Sequence, residues 1–352
     1  MRLSRESLIK AARDYAASRA KVSRRIICIY LTGSVLGDAP LLGGTTDIDL
    51  FIIHDSEPVA PREVVRLSDD VTLDISHQDQ ALYRQPRHLR TDPWLGPFLY
   101  SKPMVLYDTR HWFDFAQAAT GAQFFLPDYV IQRAGTLMRE ARRDWEQLED
   151  DSNESHEATG NAHARSLYRF FRVIENAGNA MVSLTGEGQP LTERRFFVHL
   201  PQRMLAMRLP EMVSGMQALF MPDGSITKEM WDSWLARWRA AYSAAARLEN
   251  APVSLAASRQ SYYQRGAEAL WEENPTAALW PVLRTWALAA SHLPQDSEQV
   301  QQWAAAMQEM KLGEGDFSAR MIALNRYMDQ VDEILEAWAT ANGVTVPTDF
   351  SQ

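Results

Sequence analysis

Apolar residues recur with two different periods along this chain, and the change from one to the other divides it. Residues 4–20 carry Leu8, Ala11, Ala12, Tyr15 and Ala16 at helical spacing, which predicts an amphipathic helix. Lys21 to Arg25 lead directly into the apolar run Ile26–Leu31, a predicted strand. A second run, Ile48–Ile53, follows a loop over 35–45 that contains Gly37, Pro40, Gly43 and Gly44. A third strand is predicted at Val71–Ser76, after the turn-forming Ser68-Asp69-Asp70, and a short fourth at Met104–Tyr107. The stretch from Pro86 to Pro97 reads as irregular.

From Asp128 onward the period is helical. Val130, Ala134, Leu137, Met138, Ala141, Trp145 and Leu148 form one apolar stripe, and the polar stretch Asp150–Thr159 after it reads as a loop. A second stripe runs through Leu167, Phe170, Phe171, Ile174, Ala177, Met181 and Leu184, with Arg165, Arg169, Arg172, Asn176 and Asn179 on its polar side. Further helices are expected near 227–248, 256–274, 276–291, 296–311 and 317–341, the last stopping near Gly343. The expected fold class is α+β: a small mixed-sheet domain over residues 1–125, then an all-α helical bundle over 126–352. Pro252 is a candidate boundary between two helical subdomains near residue 250.

Composition narrows the class. With 352 residues, 46% hydrophobic and 23% charged, the chain reads as an ordinary globular protein of two or three domains. Its single cysteine, Cys28, excludes a disulfide framework within the chain and a cysteine metal site. The N-terminus has no apolar signal-peptide core, and no run of about 18 apolar residues occurs, so a cytoplasmic protein without a membrane partner is expected. Residues 1–125 hold 15 basic and 15 acidic residues, and the remaining 21 basic and 30 acidic ones account for the whole net charge of −9. That distribution lacks the basic footprint of a dedicated nucleic-acid binder, so no DNA partner is expected. An acidic second domain suits a cationic acceptor but equally a solubilising surface, and the second reading is preferred.

The candidate chemistry lies where the first strands meet. Leu31-Thr32-Gly33-Ser34 ends one apolar run, and Asp47-Ile48-Asp49-Leu50 stands in the next. Residues two apart on a strand share a face, so Asp47 and Asp49 stand side by side with Ile48 and Leu50 turned to the core. Such like charges repel unless a cation lies between them. Few, adjacent oxygen ligands suit Mg²⁺ that keeps waters and substrate phosphates in its shell. A Gly-Ser turn offers backbone N–H groups and a hydroxyl to phosphate oxygens. A lone Asp-x-Asp also occurs on solvated strand faces. The Gly-Ser turn, the apolar setting of the aspartates, and Asp74 between Leu73 and Ile75 on the next predicted strand weigh against that reading.

These pieces resemble the nucleotidyltransferase superfamily that includes DNA polymerase beta. That family's pattern is a hydrophobic strand, Gly-Ser, a gap, Asp-hydrophobic-Asp-hydrophobic, and a third carboxylate on a later strand. The match covers residues 26–76 and extends loosely to Met104-Val-Leu-Tyr-Asp108. A sheet domain followed by helices also resembles kanamycin nucleotidyltransferase and other small-molecule nucleotidyltransferases. The resemblance implies a nucleoside triphosphate substrate and two Mg²⁺ ions held by Asp47, Asp49 and Asp74, with Asp74 also able to take the acceptor's hydroxyl proton. Gly33 and Ser34 would hold the β- and γ-phosphates. The implied reaction moves a nucleoside monophosphate, AMP by family precedent, to a hydroxyl of a small-molecule acceptor. The alternatives are modification of a protein or tRNA, as in toxin–antitoxin systems, and a silent nucleotide-binding regulatory module.

The chain departs from the pattern in two respects, of which one is a long, glycine-rich connection to Asp47. Many members carry Arg-Gly after the Gly-Ser, whereas here Val35-Leu36-Gly37-Asp38 supplies the glycine without the arginine. The triphosphate then relies on Mg²⁺ and a basic residue elsewhere, with Lys102 and Arg87 as candidates. Secondary candidates are His54 and Asp55 after the catalytic strand, and His77 after Asp74. Trp94 is a candidate stacking ring, and the Arg165/Arg169/Arg172 stripe with Glu175 and Asn176 a candidate cleft wall in which Glu175 acts as general base. For each of these the plainer reading, solvated face or core packing, is preferred.

Overall fold

A reciprocal cap begins the first helix, α1 (Arg5–Val22): the Ser4 hydroxyl accepts from the Ser7 amide, and the Ser7 hydroxyl accepts from the Ser4 amide. The structure, a computed structural model, describes residues 3–109, 111–154, 160–186, 189–221 and 226–345. Leu8, Ala12 and Ala16 of α1 are buried against one face of a five-stranded sheet. Its strands are β1 (Ile26–Thr32), β2 (Thr46–His54), β3 (Arg62–Arg66), β4 (Val71–Asp79) and β5 (Met104–Asp108), in the order β3-β4-β2-β1-β5. The central β2–β4 pair is parallel and the other pairs are antiparallel, so the sheet is mixed.

Strand alternation decides what each face carries. Leu31, Ile48, Leu50, Ile52, Leu73 and Ile75 pack under α1. Cys28, Tyr30, Phe51 and Ile53 point the other way, beneath the short helices α2 (Pro86–Thr91) and α3 (Leu95–Tyr100) and the longer α4 (Trp112–Gly121). The helices covering 86–100 replace the irregular stretch the pattern predicts. Pro86 sits in the first turn of α2, where no N–H is needed, and the Asp92 carboxylate accepts from the amides of Trp94 and Leu95 at 2.8 and 2.6 Å. Strand β3 has no sequence signature because it lies at the sheet edge with none of its residues buried.

The remaining helices are α5 (Pro127–Glu154), α6 (Gly160–Leu184), α7 (Phe196–Ala206), α8 (Pro210–Ala218), α9 (Lys228–Ala245), α10 (Gln260–Leu270), α11 (Pro275–His292), α12 (Glu298–Glu309) and α13 (Glu314–Ala341). The molecule is thus α+β, a small sheet unit joined to a helical one. The loop expected at 150–159 starts later, because α5 continues to Glu154; residues 155–159 lie outside the described residues. Helices α7 and α8 carry Pro201 and Pro210, which obscure them in the sequence pattern. Helix α11 is buried along 14 of its 18 residues and forms the axis of the helical unit. Among the described residues no helix is long and apolar enough to cross a membrane.

At the centre of that core the Trp280 ring lies 5.1–5.6 Å from the rings of Phe171, Phe196, Phe197 and Phe220. Removing so large a buried ring leaves a cavity its neighbours cannot fill. Trp280→Ala is expected to destabilise the fold by about 3–5 kcal/mol in urea denaturation. A loss below about 1 kcal/mol would mean that the aromatic cluster is not the centre of the helical core.

Candidate active site

Sheet register brings the three predicted aspartates together. Asp49 of β2 lies beside Asp74 in the parallel pairing with β4 and beside Thr32 in the antiparallel pairing with β1. Asp47, two residues earlier, shares their face. One oxygen from each of the three carboxylates lies within 4.8 Å of the others, a donor set able to hold a metal ion. Asp47 and Asp74 are buried. Gly33 makes the approach of β1 possible: at φ 77° and ψ −160°, a Cβ there would fall 1.9 Å from Asp49 Oδ2. Ser34 follows in a short 3₁₀ turn, Ser34–Leu36, on the wall of the same cleft.

Arginines surround the carboxylates, two of them from the helical unit. Arg62 on the edge strand β3 forms a fork on Asp74, with Nε 2.7 Å from Oδ1 and Nη2 2.5 Å from Oδ2. Arg259, fully buried just before α10, donates from Nη1 to Asp74 Oδ2 and from Nη2 to Glu193 Oε2 at 2.5 Å, and reaches Asp47 Oδ2 at 3.5 Å. Arg194 donates to Thr45 Oγ1 and O at 2.8 and 2.9 Å, holding the loop before β2, while its guanidinium stacks 3.5 Å over the Tyr262 ring. The Asp49 carboxylate alone of the trio has no hydrogen-bond or ion-pair partner among the described residues.

These contacts set the proton affinities. Burial pushes Asp49 well above the usual carboxylate range, and the charges of Asp47 and Asp74 add to it. Burial raises Asp47 too, against the opposing pull of Arg259 and Arg194. Burial acts on Asp74 as well, but hydrogen bonds from Arg62 and the charges of Arg259 and Arg62 outweigh it, so its pKa is lowered. Asp74 is therefore a weaker base than the resemblance implies.

The aspartates open into a cleft of about 830 Å³ between the sheet and the helical unit. Trp94 and Glu175 line it. Arg284 pairs with Glu175 at 3.1 and 2.8 Å, and burial still raises the Glu175 pKa. The rest of the arginine stripe lies elsewhere: Arg172 pairs with Asp144 at 3.0 Å, and Arg165 is exposed. Arg87 and Lys102 are exposed and do not line the cleft, although Lys102 directly follows Ser101, which does. His54 and His77 meet at 2.9 Å on the α1 side of the sheet, where His77 also lies 3.4 Å from Glu63. The alternation that puts Asp74 on one face puts His77, three residues on, on the other. Asp55 pairs with Arg25 at 3.4 Å. Asp108 caps α4, accepting from the amides of Trp112 and Phe113.

Sequence reasoning missed Arg62, Glu193, Arg194, Arg195 and Arg259. The run Glu193-Arg194-Arg195 directly before the apolar pair Phe196-Phe197 is a local signal that could have marked three of them, whereas Arg62 and Arg259 have none. No protein-family model matches this chain, and no curated protein matches it.

The raised pKa of Asp49 has a testable sign. The folded state keeps its proton to higher pH than the unfolded chain, whose Asp titrates at about 3.9. The stability tied to this proton is complete below that value and is lost as pH rises through the raised folded pKa. In EDTA, Asp49→Asn is expected to melt above the wild type by a margin that widens as pH rises through this window, and Mg²⁺ should raise the wild-type Tm selectively. A margin independent of pH would count against charge repulsion at Asp49.

Proposed function

We propose that this protein is a Mg²⁺-dependent nucleotidyltransferase that moves a nucleoside monophosphate from a nucleoside triphosphate to a hydroxyl of a small molecule. The observation that carries the reading is the convergence of Asp47, Asp49 and Asp74 beside the Gly33-Ser34 turn, with Asp49 left unpaired at the cleft. Asp47 and Asp49 are the residues suited to hold Mg²⁺, which when bound supplies positive charge to phosphate oxygens and to the transition state. The Gly33-Ser34 turn offers its hydroxyl and amides to the outer phosphates.

The arginine missing after Gly33-Ser34 has a replacement across the cleft. Arg195, immediately before α7, and His199 and Arg203 on its first turns line it, and Arg195 donates to the Ala39 carbonyl at 2.8 Å, in the loop after the glycine-serine turn. Burial lowers the pKa of all three, disfavouring their charged forms, and an anionic ligand in contact with them would favour those forms again. A cleft of about 830 Å³ has the size of a small-molecule site, which favours a small acceptor over a macromolecular one.

In the reaction, the acceptor oxygen bonds to the α-phosphorus as the bond to the bridging oxygen breaks and pyrophosphate leaves. Glu175, with its raised pKa, is the better group to take the acceptor's proton, since two guanidiniums hold Asp74.

The test is transfer from α-³²P-labelled ATP, GTP, CTP and UTP in Mg²⁺, with a cell extract fractionated into small molecules, RNA and protein as acceptor. Label is expected in the small-molecule fraction with the wild type and at least a hundredfold less with Asp47→Asn or Asp49→Asn. Label in the RNA or protein fraction would replace the acceptor class. Selective Mg²⁺–nucleotide binding with no label anywhere would favour a silent nucleotide-binding module. In calorimetry, Arg195→Ala and Arg203→Ala are each expected to weaken triphosphate binding about tenfold and nucleoside monophosphate binding less than twofold. Equal losses for both ligands would remove these residues from the phosphate site.

A further inference from the structure

We infer that the centre works with one divalent cation, held between Asp47 and Asp49, and that the Arg259 guanidinium stands where a second cation would be needed. The inference rests on the phosphoryl-transfer reading above and changes what the third carboxylate does. Arg259 ends a 3₁₀ turn, Ala257–Arg259, that packs against the edge strand β3, and its side chain is 0% exposed. One planar group there touches three carboxylates: Asp74 through Nη1, and Glu193 and Asp47 through Nη2 at 2.5 and 3.5 Å. Bridging several carboxylates is the work of a metal ion in a two-cation centre. Here a permanently charged side chain does it.

Asp74 is correspondingly occupied. It accepts two hydrogen bonds from Arg62 and one from Arg259, filling three of the roughly four acceptor positions of a carboxylate. The charge count agrees. Fully ionised, Asp47, Asp49, Asp74 and Glu193 would bring four negative charges, of which the two guanidiniums in contact with them offset two. One divalent cation would neutralise the rest, and the carboxylate without a protein partner is Asp49. A second divalent cation at Asp74 would lie against both guanidiniums. Asp74 is on this account a positioning residue, anchoring Arg62 and Arg259 rather than binding metal.

Mn²⁺ counted by electron paramagnetic resonance on the full chain tests this, with and without an α,β-methylene nucleoside triphosphate. The expected result is one Mn²⁺ per chain in both conditions. Asp49→Asn should weaken Mn²⁺ binding at least a hundredfold, and Asp74→Asn less than fivefold. Arg259→Met, checked for folding by circular dichroism, should raise the count to two in the ternary complex. If that variant does not fold, the contrast between Asp49→Asn and Asp74→Asn decides. Two Mn²⁺ in the wild-type ternary complex, equal losses from the two aspartate variants, or no Mn²⁺ bound to the wild type would each overturn the proposal. Two Mn²⁺ together with label transfer would leave the transfer reading standing, whereas one Mn²⁺ without any transfer would sink that reading alone.

Discussion

Four carboxylates crowded at the junction of a sheet and a helical unit are the constraint around which this protein is arranged. Asp47, Asp49 and Asp74 share one sheet face, and Glu193 approaches them from the helical side. Buried like charges are unfavourable unless cations and hydrogen bonds compensate them. Arg62 and Arg259 supply much of that compensation, and Asp49 keeps what remains.

The same compensation joins the two units. Arg259, Arg194 and Arg195 all reach from the helical unit into the strands and loops that present the aspartates. Nearby, Arg265 pairs with Asp70, and the Ser261 hydroxyl donates to the Asp69 carbonyl at 2.8 Å. Gly43 lets the loop before β2 lie against α10, since a Cβ there, at φ 59°, would fall 2.0 Å from the Arg265 carbonyl oxygen. Contacts of this kind make the cleft's geometry depend on how the units dock.

The elements legible in the sequence were those with a strong internal period or an apolar run. The stripes of α5, α6 and α13 and the runs of β1, β2 and β4 declare themselves because burial of one face demands them. Edge strand β3, the proline-bearing α7 and α8, and the short α2 and α3 lack that demand. They are set by sheet pairing, caps and packing.

The sequence by itself determined that Asp47 and Asp49 share a face, since strand period is a property of local backbone geometry. It also marked the Gly33-Ser34 turn, where a residue without a side chain is required. Tertiary structure alone decided that β4 runs parallel beside β2, which puts Asp74 at the register of Asp49. It alone decided that Arg259, 185 residues from Asp74 in the chain, closes the cluster, and that His77 meets His54 across the strands. Strand pairing and ion pairs between units depend on contacts distant in sequence, and no local pattern encodes them.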